Sequence, residues 1–146
     1  MNIRKIAFLK LRFVMAFIFL WAFADKLFGL GFATTAEKAW INGGSPTYGF
    51  LTFGIDGPLA PFFKSLAGLP LVDWLFMVGL LFVGLTLLLN RFVFWGAVAG
   101  ITMMALMWLA LFPPENNPLI DEHIVYILVL TILAIKSRRG ELKLKS

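Results

Sequence analysis

The 146-residue chain is 60% hydrophobic and only 14% charged, with a mean hydropathy of +0.89, more apolar than a soluble domain of this size can hide, so a bilayer is its expected solvent. Formal charge is +5, but Lys and Arg gather near the two termini instead of forming a patch, which reads as membrane topology and not as nucleic-acid binding. The absence of cysteine excludes disulfides, thiolate metal ligands, thioether-linked haem and dithiol redox chemistry within the chain.

A membrane-spanning helix needs about 20 mostly apolar residues, and four segments approach that length. The first runs from Leu9 to Phe32 and contains Arg12, Asp25 and Lys26. Its basic start, the run Phe13 to Trp21 and Ala22-Phe23-Ala24 imitate a signal peptide, but apolar character resumes after Asp25-Lys26 with Leu27-Phe28-Gly29-Leu30, so the segment is expected to remain as a span. The second span is expected over Leu71 to Leu89 and the third over Phe92 to Phe112, with only Asn90-Arg91 between them, which forces an antiparallel hairpin. The fourth, Ile120 to Ile135, is short, and its charged start must lie in the interface or inside the bundle. The expected fold is therefore all-α, one domain over residues 1–146, an integral membrane four-helix bundle.

Between the first two spans, Ala33 to Pro70 is too long and too aromatic for an idle linker, with Trp40, Tyr48, Phe50, Phe53, Phe62 and Phe63 among glycines and prolines. It is expected to cap the bundle. Thr34 or Thr35 is placed to start a short helix through Trp40 that Gly43-Gly44 ends, and Pro58 to Leu66 is expected to form a second interfacial helix.

Orientation follows from the bases. Arg4, Lys5, Lys10 and Arg12, then Arg91, then Lys136, Arg138, Arg139, Lys143 and Lys145 share one side, against Lys38 and Lys64 on the other. The positive-inside rule then puts both termini in the cytoplasm of a multi-pass protein of the cell membrane.

Charges inside a membrane are costly and mark functional positions. Asp25, Lys26, Asp73, Asp121, Glu122 and His123 all fall toward the outer ends of their helices, so a polar pocket at the outer end of the bundle is the leading candidate site. Glu122 and His123 lie four and three residues before Tyr126 and can share a face with it. His123, the only histidine, titrates near neutrality when unperturbed, so Glu122, His123 and Tyr126 are the candidate proton relay, supported by Asp25. Lys26, Asp121, Trp40 and Asn117 are the candidate substrate contacts. Each also has an ordinary structural reading; Asp121, for instance, is well placed as a helix N-cap. One His with scattered carboxylates lacks the paired spacing of zinc or di-iron sites, so no metal is expected. Gly96-Ala97-Val98-Ala99-Gly100 is a GxxxG pattern, expected to pack either within the bundle or between copies in a homo-oligomer, and Met103, Met104, Met107 and Trp108 make a soft stretch suited to core packing or to an isoprenoid tail.

Arg12 with Asp25-Lys26-Leu27, the loop segments Trp40-Ile41-Asn42-Gly43 and Ser45-Pro46-Thr47, and Asn116-Asn117-Pro118-Leu119-Ile120-Asp121-Glu122-His123-Ile124-Val125-Tyr126 together resemble the DoxX and DoxD-like membrane proteins over nearly the whole chain. That resemblance implies a small membrane subunit akin to the one in thiosulfate:quinone oxidoreductase, working with quinone and a redox partner subunit. The acidic cluster suits delivery of protons to a quinone better than capture of an anion. Two other classes stay open at this point: a non-catalytic assembly or scaffold protein holding a partner through its loop and helix faces, and a small-solute carrier.

Overall fold

The structure, a computed structural model, describes residues 3–115, 117–140 and 142. Among these, the order is α1 Ile3–Phe28, two 3₁₀ turns at Ala36–Lys38 and Trp40–Asn42, then α2 Tyr48–Phe53, α3 Ala60–Lys64, α4 Pro70–Leu89, α5 Val93–Leu111 and α6 Glu122–Arg138. Asn116, Lys143 and Lys145, which the sequence reading used, lie outside the described residues.

Each helix boundary has a local cause. No Pro or Gly interrupts residues 3–28, and α1 ends where Gly29 turns left-handed at φ +66°. There the Gly29 N–H donates to Asp25 O at 2.8 Å. A side chain at Gly29 would meet the Ala36 backbone at 2.6 Å, so the chain folds back here only with glycine, and α1 stops four residues short of the expected Phe32. Pro70 opens α4 at its first turn, where no N–H is missed. Asn90 and Phe92 both take positive φ, 54° and 57°, to make the tight link into α5. α5 stops before Pro113, as the residue preceding proline disfavours helix.

Small residues set the packing register. Thr86 faces Gly96, Val83 faces Gly100 and Met103 faces Gly79, a regular antiparallel match between α4 and α5. Leu130 of α6 and Phe19 of α1 also converge on Gly100, so four helices meet there. A Cβ on Gly96 would lie 1.8 Å from Thr86 Oγ1, which is why only glycine fits. The GxxxG face is thus used inside the chain, the first of the two uses expected for it. One core runs through all four helices, with Phe19, Met77, Leu80, Leu87, Ala97 and Leu133 among its members.

Outside this core the long helices stay apolar. Val14 and Phe17 on α1, Leu75, Val78 and Phe82 on α4, Trp95 and Leu106 on α5, and Val125, Leu128 and Ile132 on α6 are exposed. A helix apolar on both faces fits lipid and not water. α1, α4 and α5 are long and apolar enough to cross a membrane. α6, with 17 residues, spans about 25 Å at helical rise, less than the roughly 30 Å of a hydrocarbon core, and is not among them.

The loop covers one end, as expected. Leu51, Ile55, Ala60 and Phe63 form a second cluster seated on Ala110 of α5. Its elements are shorter than the sequence suggests: 3₁₀ turns replace the helix through Trp40, with Gly43 at φ +87° ending the second, and α3 covers only part of Pro58 to Leu66. α2 was not foreseen, because Gly49 and the flanking Ser45-Pro46-Thr47 and Gly54 read as turn residues.

Candidate functional site

The charged residues expected to share one pocket lie at the capped end, but they divide into separate groups. Asp25, 2% exposed, receives the Ala33 N–H at 2.9 Å and the Phe32 N–H at 3.2 Å on its two oxygens. The carboxylate pins the loop that leaves α1, and its bonds go to that loop and not to α6. Asp73 is the second group. Its Oδ1 accepts from the Thr47 hydroxyl at 2.6 Å, the Ser45 hydroxyl at 2.9 Å and the Thr47 N–H at 3.2 Å, tying the Ser45-Pro46-Thr47 turn to the first turns of α4.

Asp121 and His123 are the third group. Asp121 is the N-cap of α6, with Oδ1 accepting the His123 N–H at 3.0 Å. Its Oδ2 lies 2.8 Å from His123 Nδ1. With the carboxylate ionised, Nδ1 is the donor of this bond. The imidazole is buried at 7% exposure. Glu122 is exposed, Tyr126 packs half-buried on the core, and neither side chain makes a hydrogen bond among the described residues. The expected relay of Glu122, His123 and Tyr126 is therefore replaced by an Asp121–His123 pair, because the cap needs Asp121 to turn back over the first helical turn. The ligand atoms of Asp121, Glu122 and His123 do lie within 4.8 Å of one another, the nearest approach to a metal-ligand set among the described residues. Neighbours at one helix start crowd in this way without a metal, and two of the three are already bonded to each other.

The candidate substrate contacts scatter. Trp40 packs edge-on against Trp74 with centroids 4.7 Å apart. Asn117 Oδ1 accepts the Leu119 and Ile120 N–H groups at 2.9 and 3.1 Å and shapes its own turn. Trp108 holds the same segment by donating to Leu119 O at 3.0 Å.

Lys26 has a different setting. A cavity of about 390 Å³ lies beneath the cap, walled by Phe50, Leu51, Phe63 and Leu66 of the loop, Val72, Leu75 and Phe76 of α4, and Met103, Leu106, Met107 and Ala110 of α5. Lys26 is its one charged wall residue, with the ammonium 5.8 Å from the centre of the Phe76 ring. An apolar cleft with a few placed polar groups, here Lys26 and Thr47, is the usual form of a small-molecule site. Two of the methionines singled out in the sequence, Met103 and Met107, are on its wall, four residues apart on one face of α5; Met104 points into the core instead. The cavity itself was not legible, since nothing in the sequence shows that the loop and α5 leave space between them.

Comparison of the chain with protein-family models, with curated proteins and with solved structures finds no significant match.

Proposed function

We propose that this chain is the membrane subunit of a quinone-linked oxidoreductase of the DoxX-like kind it resembles, and that the quinone occupies the cavity beneath the cap. The observation that supports this reading is the cavity itself, an apolar cleft on apolar helices with a single ammonium, Lys26, on its wall. A quinone is a flat ring with two carbonyl acceptors and an apolar tail. Lys26 would donate to one carbonyl, while Met103, Met107 and Phe76 would pack on the ring and the start of the tail.

In this reading all four long helices cross the cell membrane with both termini cytoplasmic, the cap lies outside, and α6 reaches across because Lys136 and Arg138 extend to the headgroups. Reduction of a quinone takes up two electrons and two protons. The electrons come from a partner subunit, and thiosulfate is the donor that the resemblance suggests. Protons would enter from the capped end, where the Asp121–His123 pair sits. The scaffold reading gains nothing from the glycine face, which is buried, and the carrier reading lacks a polar path through a core built of Phe19, Leu80, Val83 and Leu130.

The test is binding of a short-tailed ubiquinone or menaquinone analogue to the purified chain in nanodiscs, followed by tryptophan quenching, with Met103→Trp as the variant that fills the cavity. Saturable binding that the variant abolishes supports the proposal. Absence of binding to the folded native chain would end it and favour the scaffold role.

A further inference from the structure

The wall of the cavity has two polar side chains, Lys26 and Thr47, and they are not equivalent. Thr47 has spent its hydroxyl hydrogen on Asp73 Oδ1. Lys26 has spent none. Its sequence neighbour Asp25 is the nearest carboxylate along the chain, but both of its oxygens are held by the Phe32 and Ala33 N–H groups. Among the described residues no carboxylate lies within ion-pair distance of Lys26; the charge of Asp25 acts on it only from farther off, and the face of Phe76 lies 5.8 Å from the ammonium.

The wall also shows where the cavity opens. Leu75 and Leu106 belong to it, yet they are 65% and 50% exposed and lie on the outward faces of α4 and α5. Phe50 and Phe63 of the cap close it on the loop side. With the helices in a bilayer, as in the reading above, the mouth would face hydrocarbon between two helices apolar enough to cross a membrane. An ammonium at such a mouth cannot be hydrated fully from the lipid side, and an anionic oxygen is the partner that best offsets its desolvation.

From this we infer that Lys26 makes the cavity selective for amphiphiles carrying an ionised oxygen on the ring or head, admitted sideways from the bilayer between α4 and α5. The inference rests on the quinone reading and specifies the charge state that the site prefers. Lys26 is a specificity-determining residue in this assignment, since its contact is with the ligand oxygen.

The experiment uses the full chain in nanodiscs of zwitterionic phospholipid and three probes: a 2-hydroxy-3-alkyl-1,4-naphthoquinone, ionised near neutral pH, its neutral 2-methyl counterpart with the same alkyl chain, and palmitate. The expected result is that the hydroxy compound binds roughly tenfold or more tightly than the methyl compound, the value of a charge-assisted hydrogen bond. Lys26→Met weakens both quinones but the hydroxy compound far more, since the methyl compound loses only a bond to a neutral carbonyl, so the preference disappears, and Lys26→Arg keeps it. Equal binding of the two quinones, or a preference that survives Lys26→Met, overturns the inference and leaves the quinone reading standing. Binding of palmitate alone, weakened by Lys26→Met, sustains the anion selectivity and removes the quinone. If no probe binds the folded chain, both fall.

Discussion

Arg12 and Lys26 occupy opposite ends of α1 and meet opposite circumstances. Arg12 is 4% exposed, and its Nη1 donates to Leu87 O and, at 3.3 Å, to Leu88 O. These are carbonyls of the last turn of α4, which have no intrahelical N–H to accept and form the negative end of the helix dipole. The ring of Phe13, 4.9 Å away, covers the guanidinium. A buried cation has found backbone groups that need one. At the other end the carboxylates are matched in the same way, Asp25 by two N–H groups of the loop and Asp73 by an N–H and two hydroxyls. Lys26 breaks the pattern, with an aromatic face and an open cavity in place of acceptors. Buried charges matched by nearby donors and acceptors hold the fold together, and the half-buried Lys26, which has no such match among the described residues, is the place where the proposed ligand would bind.

Mutations that treat the two cations alike should separate these roles. The largest effect is expected from Arg12→Leu, which strips the C-terminal carbonyls of α4 of their donor and should lower stability by about 3 kcal/mol, read from thermal or denaturant unfolding in detergent. Next comes Asp73→Ala, which leaves the buried Thr47 hydroxyl and N–H without their acceptor. A loss of about 2 kcal/mol is expected, with protease cleavage appearing first in the loop between α1 and α4. For Lys26→Met the account expects no loss, and a gain of up to about 1 kcal/mol, because an ammonium without acceptors gives way to an apolar chain of similar length. A destabilisation as large as that of Arg12→Leu would show that Lys26 is structural and would erase the contrast. The smallest effect lies at the hairpin, where Phe92 sits exposed at φ 57°. Phe92→Asn should stabilise by roughly 0.5 kcal/mol, since Asn accepts the left-handed region and Phe does not.

How far the sequence reached depends on which physics was local. The long helices were legible because apolar runs of bilayer length, Pro70 and the Asn90-Arg91 break act through the chain itself. Asp121 was readable as an N-cap for the same reason. The cap elements were less so, since Gly49 lies inside α2 and the helix depends on Leu51 and Ile55 finding Phe63 and Ala110. The site was least legible. Counting residues along each helix placed Asp25, Asp73 and Asp121 correctly at one end, but depth along an axis does not say toward which neighbour a side chain turns. Each carboxylate closed on groups near itself or on the loop, Phe32, Ala33, Thr47 and His123, before it could reach another helix. The pairing of Ser45 and Thr47 with Asp73 joins positions 28 and 26 residues apart, and no periodicity announces it. Lys26, expected beside the acidic cluster, instead has Phe76 and the walls of a cavity as its companions.

The central claim is that the ligand sits beside Lys26 and not at the acidic start of α6. Photolabelling with an azido-quinone in nanodiscs, followed by peptide mapping, tests it most directly. The account predicts adducts on the segment around Met103 and Met107 and on the cap near Phe50, competed by unlabelled quinone and lost in Met103→Trp. Labelling confined to residues 121–126, or spread evenly over lipid-facing residues such as Phe17 and Phe82, would contradict it.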